Sequence, residues 1–115
     1  MNNIEPLDVN LLEGYLESLG LDIVEQMLAL YIQQSITYLD DISDSLEQKS
    51  QALWEERCHK MKGATGSVGL LAAHAKLVAI EKISGQWAEK STYMSELIEV
   101  NRNAIEAFNT WLASK

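Results

Sequence analysis

With one cysteine, one proline and six glycines in 115 residues, this chain lacks the punctuation that most small folds depend on. The lone cysteine, Cys58, excludes an intramolecular disulfide and any zinc site built on a cysteine cluster. Its place at the edge of an apolar helix face suits a small core residue, not a redox centre. So little proline and glycine argues against a β-rich fold, which needs turn residues at short intervals. No apolar stretch approaches the roughly 20 residues that span a bilayer, and no basic segment leads into an apolar one at the N-terminus. The chain therefore reads as cytoplasmic, without direct membrane insertion.

Positive charge is also scarce. Nine Lys and Arg against 17 Asp and Glu leave a net charge of −8, which excludes a general nucleic-acid binder, since that needs a basic face. The few cations are unevenly placed: Arg57, Lys60, Lys62, Lys76 and Lys82 share one segment with a single acid, Glu81. Such a locally basic zone suits an acidic partner surface or a phosphoryl group, although a solvated helix face with chance bias would look the same.

What is abundant is helical periodicity. An apolar share of 47% with 23% charged residues fits one globular domain over residues 1–115, with one core. A first helix is expected from Asp8 as N-cap to Gly20, with Val9, Leu12, Leu16 and Leu19 as its stripe. Asp22, followed by Glu25 three residues on, has the form of a capping box opening a long helix to about Glu47. Ser50 caps a third helix that ends near Gly69. A fourth is expected from Leu71 to Ser84, stopped by Gly85, with Ala75, Val78, Ala79 and Ile83 turned inward. The last starts around Ser91 and carries Tyr93, Leu97, Val100, Ala104, Phe108 and Trp111 at a 3-4 spacing. Short connections between the four longer helices predict an all-α, antiparallel four-helix bundle, with the short N-terminal helix covering one end.

The third helix is the informative one. Taking about 100° per residue and His59 as zero, Lys62 falls near 300°, Gly63 near 40°, Gly66 near 340° and Leu70 near 20°. Leu53, Ala64, Val68, Met61 and Trp54 fall between roughly 120° and 220° on the same wheel, so the apolar face is expected opposite the histidine. Arg57 projects into that apolar side and is expected to snorkel to a rim. Each interior glycine costs a helix about 1 kcal/mol relative to alanine, and packing gives no reason for glycines on a solvent face. They leave the imidazole on a bare surface that another protein can approach. His74 is the other histidine; it reads as an exposed polar residue, and with His59 it lacks further ligands for a metal site.

The run His59-Lys60-Met61-Lys62-Gly63-Ala64-Thr65-Gly66-Ser67-Val68-Gly69-Leu70 resembles the signature of histidine-containing phosphotransfer (HPt) domains, in particular those of hybrid sensor kinases of the aerobic-respiration and trimethylamine-oxide sensor types. The resemblance implies that His59 is the phosphoacceptor and that Lys62 helps to hold the phosphoryl group. It also implies that Gly63 leaves room for the partner, that Gly69 ends the helix, and that Glu81, at +22, orients the imidazole. Ala73 departs from the pattern, where many members have leucine. The implied reaction is attack by His59 on an aspartyl phosphate of a response-regulator receiver domain, then transfer to an aspartate of another receiver. Lys60, Gly63, Gly66 and Lys76 would contact the partner. No cofactor would sit on this chain, and Mg²⁺ would belong to the receiver. Imidazole, with an unperturbed pKa of about 6.5, offers a lone pair at neutral pH without a dedicated base. No Walker-type loop is present, so the chain is expected to be a phosphotransfer intermediate without autonomous kinase activity, and a monomer.

Two other readings compete. A non-catalytic helical interaction module would keep the bundle and make His59 incidental. The dimerisation and phosphoacceptor domain of a sensor kinase would usually have an acidic residue directly after its histidine and a proline soon afterwards. Here Lys60 follows, and Pro6 is the only proline.

Overall fold

The computed structural model describes residues 5–115 and contains five helices: α1 (Val9–Leu19), α2 (Leu21–Glu47), α3 (Gln51–Ser67), α4 (Leu71–Glu81) and α5 (Trp87–Ala113). Helices α2, α3, α4 and α5 close a ring in which each packs on the next and α5 returns to α2, while α1 lies on α2. The two 27-residue helices set the long dimension of 44 Å. An antiparallel, all-α four-helix bundle with a short N-terminal helix is thus what the chain adopts.

The core has two layers, and their membership shows the antiparallel order. Val24, Leu28 and Tyr31 from the start of α2 meet Ala104 and Phe108 from the end of α5, together with Leu12, Leu70 and Ala73. Ile42 from the end of α2 meets Met94 and Leu97 from the start of α5, with Trp54, Cys58 and Met61 of α3 and Leu77 and Ile80 of α4. A buried hydrogen bond of 2.5 Å from the Tyr31 hydroxyl to Asn101 Oδ1 ties α2 to α5. Burial, with a smaller contribution from Tyr38, pushes the Tyr31 phenol upward and keeps it a donor.

Local chemistry explains most helix ends. Asp8 accepts from the Leu11 N–H and Ser50 from the Leu53 N–H, as N-caps do. Gly69, at φ 71°, ends α3 in a Schellman turn: Leu70 N–H donates to Thr65 O at 2.9 Å and Gly69 N–H to Gly66 O at 3.3 Å. The Gly69 carbonyl also receives the Asp8 N–H at 2.8 Å, so α1 is fastened across the α3–α4 corner. A Cβ at Gly69 would press on Leu12 Cδ2 at 3.4 Å.

Three expectations fail in instructive ways. Gly20 at φ 89° both closes α1 and opens α2, so Asp22 lies inside the first turn of α2 and makes no cap. Helix α4 ends at Glu81, and it is Ala73, Leu77, Ile80 and Glu81 that turn inward, whereas Val78 and Ala79 are exposed and Ala75 and Ile83 are half-buried. Two neighbours, α3 and α5, enclose α4, and their shared groove selects its buried residues rather than its own weak stripe. Helix α5 starts at Trp87, four residues before Ser91, because Lys90 is drawn inward.

Lys90 is fully buried, and its ammonium has no hydrogen-bond partner. It lies 4.6 Å from the centre of the Trp87 ring and 5.8 Å from that of Trp54. Indole faces attract a cation, but less strongly than water hydrates it when burial is complete. Lys90→Met keeps the unbranched stem and sheds the charge. The variant is expected to retain its helical circular dichroism and to gain about 1 kcal/mol in urea denaturation; a loss of stability would show that the indole cage outweighs the desolvation cost.

Candidate functional site at His59

His59 stands on α3 with 70% of its side chain exposed. Its surroundings differ from the helical-wheel expectation in one respect that matters. The buried face of α3 consists of Trp54, Cys58, Met61 and Thr65, whereas Leu53, Ala64 and Val68 are only half-buried. That face is rotated toward the histidine, because α3 is packed by α2 on one side and α4 on the other. His59 therefore borders the core instead of standing opposite it, and a residue from α4 can reach it.

That residue is Glu81, the last of α4, whose side chain is 4% exposed. Its Oε2 is 3.5 Å from His59 Nδ1, and its Oε1 is 2.7 Å from Lys62 Nζ. The ammonium sits off the direction of a well-formed hydrogen bond to Oε1, so charge carries more of this contact than directionality. Burial raises the carboxyl pKa. The contact and charge of Lys62, aided by His59 and Lys82, outweigh burial and hold the group below the ordinary carboxyl range. Lys62 is itself three-quarters enclosed. The carboxylate thus faces the Nδ1 edge of the imidazole, at a distance longer than that of a tight hydrogen bond.

Lys82, at the C-cap of α4, completes the group. Its ammonium lies 3.6 Å from Glu81 Oε2 and 3.4 Å from Glu55 Oε1, and its side chain is 76% exposed. Glu55 is held below the ordinary carboxyl range chiefly by its hydrogen bond from Gln51, and by Lys82 as well. Neither Lys82 nor Glu55 stands out from the motif. Their signals are adjacency to Glu81 and a position one helical turn before His59, and only the packing of α3 on α4 joins them.

The remaining singled-out residues divide. Gly63 has open space where a Cβ would stand, and Lys60 is exposed beside it. Gly66 is exposed as well, and a Cβ there would just touch His74 Nδ1 at 3.4 Å. His74 is half-buried, not exposed, with Nδ1 3.4 Å from Lys62 O. Lys76 turns to α5, where Glu96 Oε1 is 2.5 Å away and the Tyr93 ring centre 5.6 Å. Arg57 is partly enclosed, donating to the Asp41 carbonyl at 2.7 Å and pairing with Asp44 at 3.1 Å. Cys58 is fully buried, and burial first, then Glu81, push its thiol up to about 12 against a lowering by Lys90. Such a thiol is no nucleophile. Among the described residues no group of three or more His, Cys, Asp or Glu is placed to hold a metal ion, and no helix is long and apolar enough to cross a membrane.

A groove of about 310 Å³ between α2 and α3 runs beside the histidine face, lined by Met27, Leu30, Tyr38, Lys60 and Gly63 among others. Leu30 is 54% exposed there. A second groove, of about 380 Å³, lies between the start of α2 and the end of α5; Glu25 is the only charged residue along it, so it offers no comparable chemistry.

A carboxyl whose folded pKa is lowered contributes stability that is complete above its unfolded pKa and is lost as pH falls through the lowered value. Glu81→Gln removes that dependence. Between pH 7 and pH 3 the denaturant midpoint of the native chain should fall further than that of Glu81→Gln; parallel curves would mean that the carboxylate is not stabilised by Lys62.

Comparison with known proteins agrees with this geometry. Residues 26–111 match the model of the Hpt domain family. The chain is 30% identical, over 93% of its length, to the aerobic respiration control sensor protein ArcB of Escherichia coli (strain K12) and to that of Shigella flexneri, and it spans 14% of the length of these relatives. It is also similar to a solved structure, the histidine-containing phosphotransfer domain of ArcB from Escherichia coli, with a TM-score of 0.82 and 28% identity over 94% of this chain and 93% of that one. The family match over residues 26–111, the 30% identity and the shared all-helical fold place the chain in the Hpt domain family, the phosphotransfer modules of multistep phosphorelays.

Proposed function

We propose that His59 is the phosphoacceptor of this module, taking a phosphoryl group from a receiver-domain aspartate and passing it to the aspartate of another receiver. The observation that carries this reading is the contact of His59 Nδ1 with the buried Glu81 carboxylate, 3.5 Å away, in a ring that is otherwise 70% exposed. With Nδ1–H directed at Glu81, Nε2 carries the lone pair toward solvent. Attack by Nε2 on an aspartyl phosphate forms the N–P bond as the acyl P–O bond breaks, and the aspartate leaves with the bonding pair. The Nδ1 proton stays against Glu81, which balances the positive charge that the ring acquires. Reversal on a second receiver returns the imidazole to its resting form.

Phosphoryl transfer depends mainly on positioning and charge neutralisation, and this site supplies both. Glu81 orients the ring, and Lys62 and Lys82 offset the charges of Glu81 and Glu55 beside it, so that the site is locally neutral although the whole chain carries −8. The carboxylates and Mg²⁺ of the reaction sit on the receiver in this reading. The chain then acts without autonomous kinase activity, as a cytoplasmic monomer serving receiver domains and a hybrid sensor kinase and binding no nucleic acid. The receiver would rest on the α2–α3 groove, with Leu30 and Met27 supplying apolar contact and Lys60 a rim charge. Lys76, paired with Glu96, is less available for docking than its sequence position suggests.

His59→Gln is expected to keep the fold and to lose all labelling by a phosphorylated receiver, while the native chain acquires acid-labile, base-stable label. Acid-stable label, or full labelling of the variant, would refute the assignment.

Gly63 tests the approach surface. Gly63→Ala should gain up to about 1 kcal/mol of helix stability, since nothing lies within 4 Å of the new Cβ. Gly63→Gln should fold equally well yet lose at least tenfold in transfer rate and receiver affinity. Unchanged transfer by the folded Gln variant would remove the steric argument.

A further inference from the structure

Two ammonium groups share the Glu81 carboxylate, but releasing them from it has very different consequences. Lys62 lies 2.7 Å from Oε1, the oxygen enclosed by protein, and is itself three-quarters enclosed. Removing it would leave a buried carboxylate without its main counter-charge, which is among the costlier events in a folded protein. Lys82 lies 3.6 Å from Oε2 and 3.4 Å from Glu55 and is 76% exposed. Pairs at such distances with so exposed an ammonium contribute little, and Lys82 can leave Glu81 while Lys62 remains. His59 Nδ1 and Lys82 Nζ approach the same carboxylate oxygen, at 3.5 and 3.6 Å, so this mobile cation already stands beside the ring.

We propose that Lys82, and not Lys62, is the cation that moves onto the phosphoryl group of phosphorylated His59, with Glu55 as its resting clamp and Lys62 as the fixed counter-charge of Glu81. The inference rests on His59 being the phosphoacceptor. A phosphoryl group adds up to two negative charges and three acceptor oxygens at the imidazole edge, which outcompetes the loose contacts with Glu55 and Glu81 for a flexible ammonium. Lys82 has the stem length and the freedom to answer it. Movement of Lys62 would instead expose Glu81 to an uncompensated dianion. The motif draws attention to Lys62 because it shares a helix with His59, whereas Lys82 reaches the site from α4.

Phosphoramidate, a small donor, tests this without a partner protein. Nε2 of His59 attacks phosphorus, the N–P bond to the donor breaks, and ammonia leaves with the bonding pair. The native chain, His59→Gln, Lys82→Gln, Lys82→Arg, Lys62→Gln and Glu55→Gln are compared for labelling rate and for thermal midpoint. Lys82→Gln is expected to label about five- to tenfold more slowly with an unchanged midpoint, as fits the loss of one charge-assisted contact. Lys82→Arg should recover most of the rate. Glu55→Gln should label at least as fast as the native chain, and Lys62→Gln should lower the midpoint. In NMR spectra of the lysine side chains, phosphorylation should shift the Lys82 ammonium more than that of Lys62.

Labelling of Lys82→Gln within twofold of the native rate, or a larger shift at Lys62, would overturn the assignment while leaving His59 as acceptor. Failure of the native chain to label, or label retained in His59→Gln, would overturn the phosphoacceptor reading and this inference with it.

Discussion

The structure turns on one buried carboxylate. Glu81 closes α4 with its side chain enclosed, and a charge in that position survives only with a counter-charge in contact. Lys62 provides it from the neighbouring helix, so the functional face depends on α3 and α4 being correctly docked. The same carboxylate then has one oxygen left for the imidazole. Fold and chemistry are coupled through this residue: whatever loosens α4 from α3 also releases the ring from its orientation.

The bundle is arranged to make that docking rigid. Trp54, on α3, inserts fully and donates its indole N–H to the Ile80 carbonyl at 3.0 Å, one residue before Glu81. Cys58 and Met61 fill the space behind His59 with small and adaptable side chains. The buried Lys90 ammonium lies 5.8 Å from the centre of the same Trp54 ring. At the opposite end, the Asp8 and Tyr15 bonds to Gly69 and Ser67 fasten α1 over the α3–α4 corner and fix where α4 begins.

Charge and shape divide the surface accordingly. Lys62 and Lys82 stand beside the exposed imidazole, each in contact with a carboxylate, and Lys60 is exposed on the same helix, so the cations nearest the ring are local features of a chain that carries −8 overall. Beside it, an apolar groove and an unobstructed Gly63 offer contact without crowding the ring. Gly66, also exposed, lies against His74 on its inner side.

Much of this was legible in the residues alone. Periodicity set five helices and the all-α bundle, Asp8, Ser50, Gly20 and Gly69 marked their ends, and the stripe of His59, Lys62 and Gly63 marked the candidate face, because caps, glycine conformations and helical spacing are local properties. The resemblance to HPt domains also pointed to Glu81. What local pattern could not decide was which way a helix rolls when two neighbours enclose it. That roll brought Thr65 inside, exposed Val78, carried Lys76 to Glu96, and brought Glu81 beside His59. The meeting of Lys82 with Glu55, and the burial of Lys90 between Trp54 and Trp87, belong to tertiary structure for the same reason. Each joins residues on different helices, and only packing determines which faces share the same space.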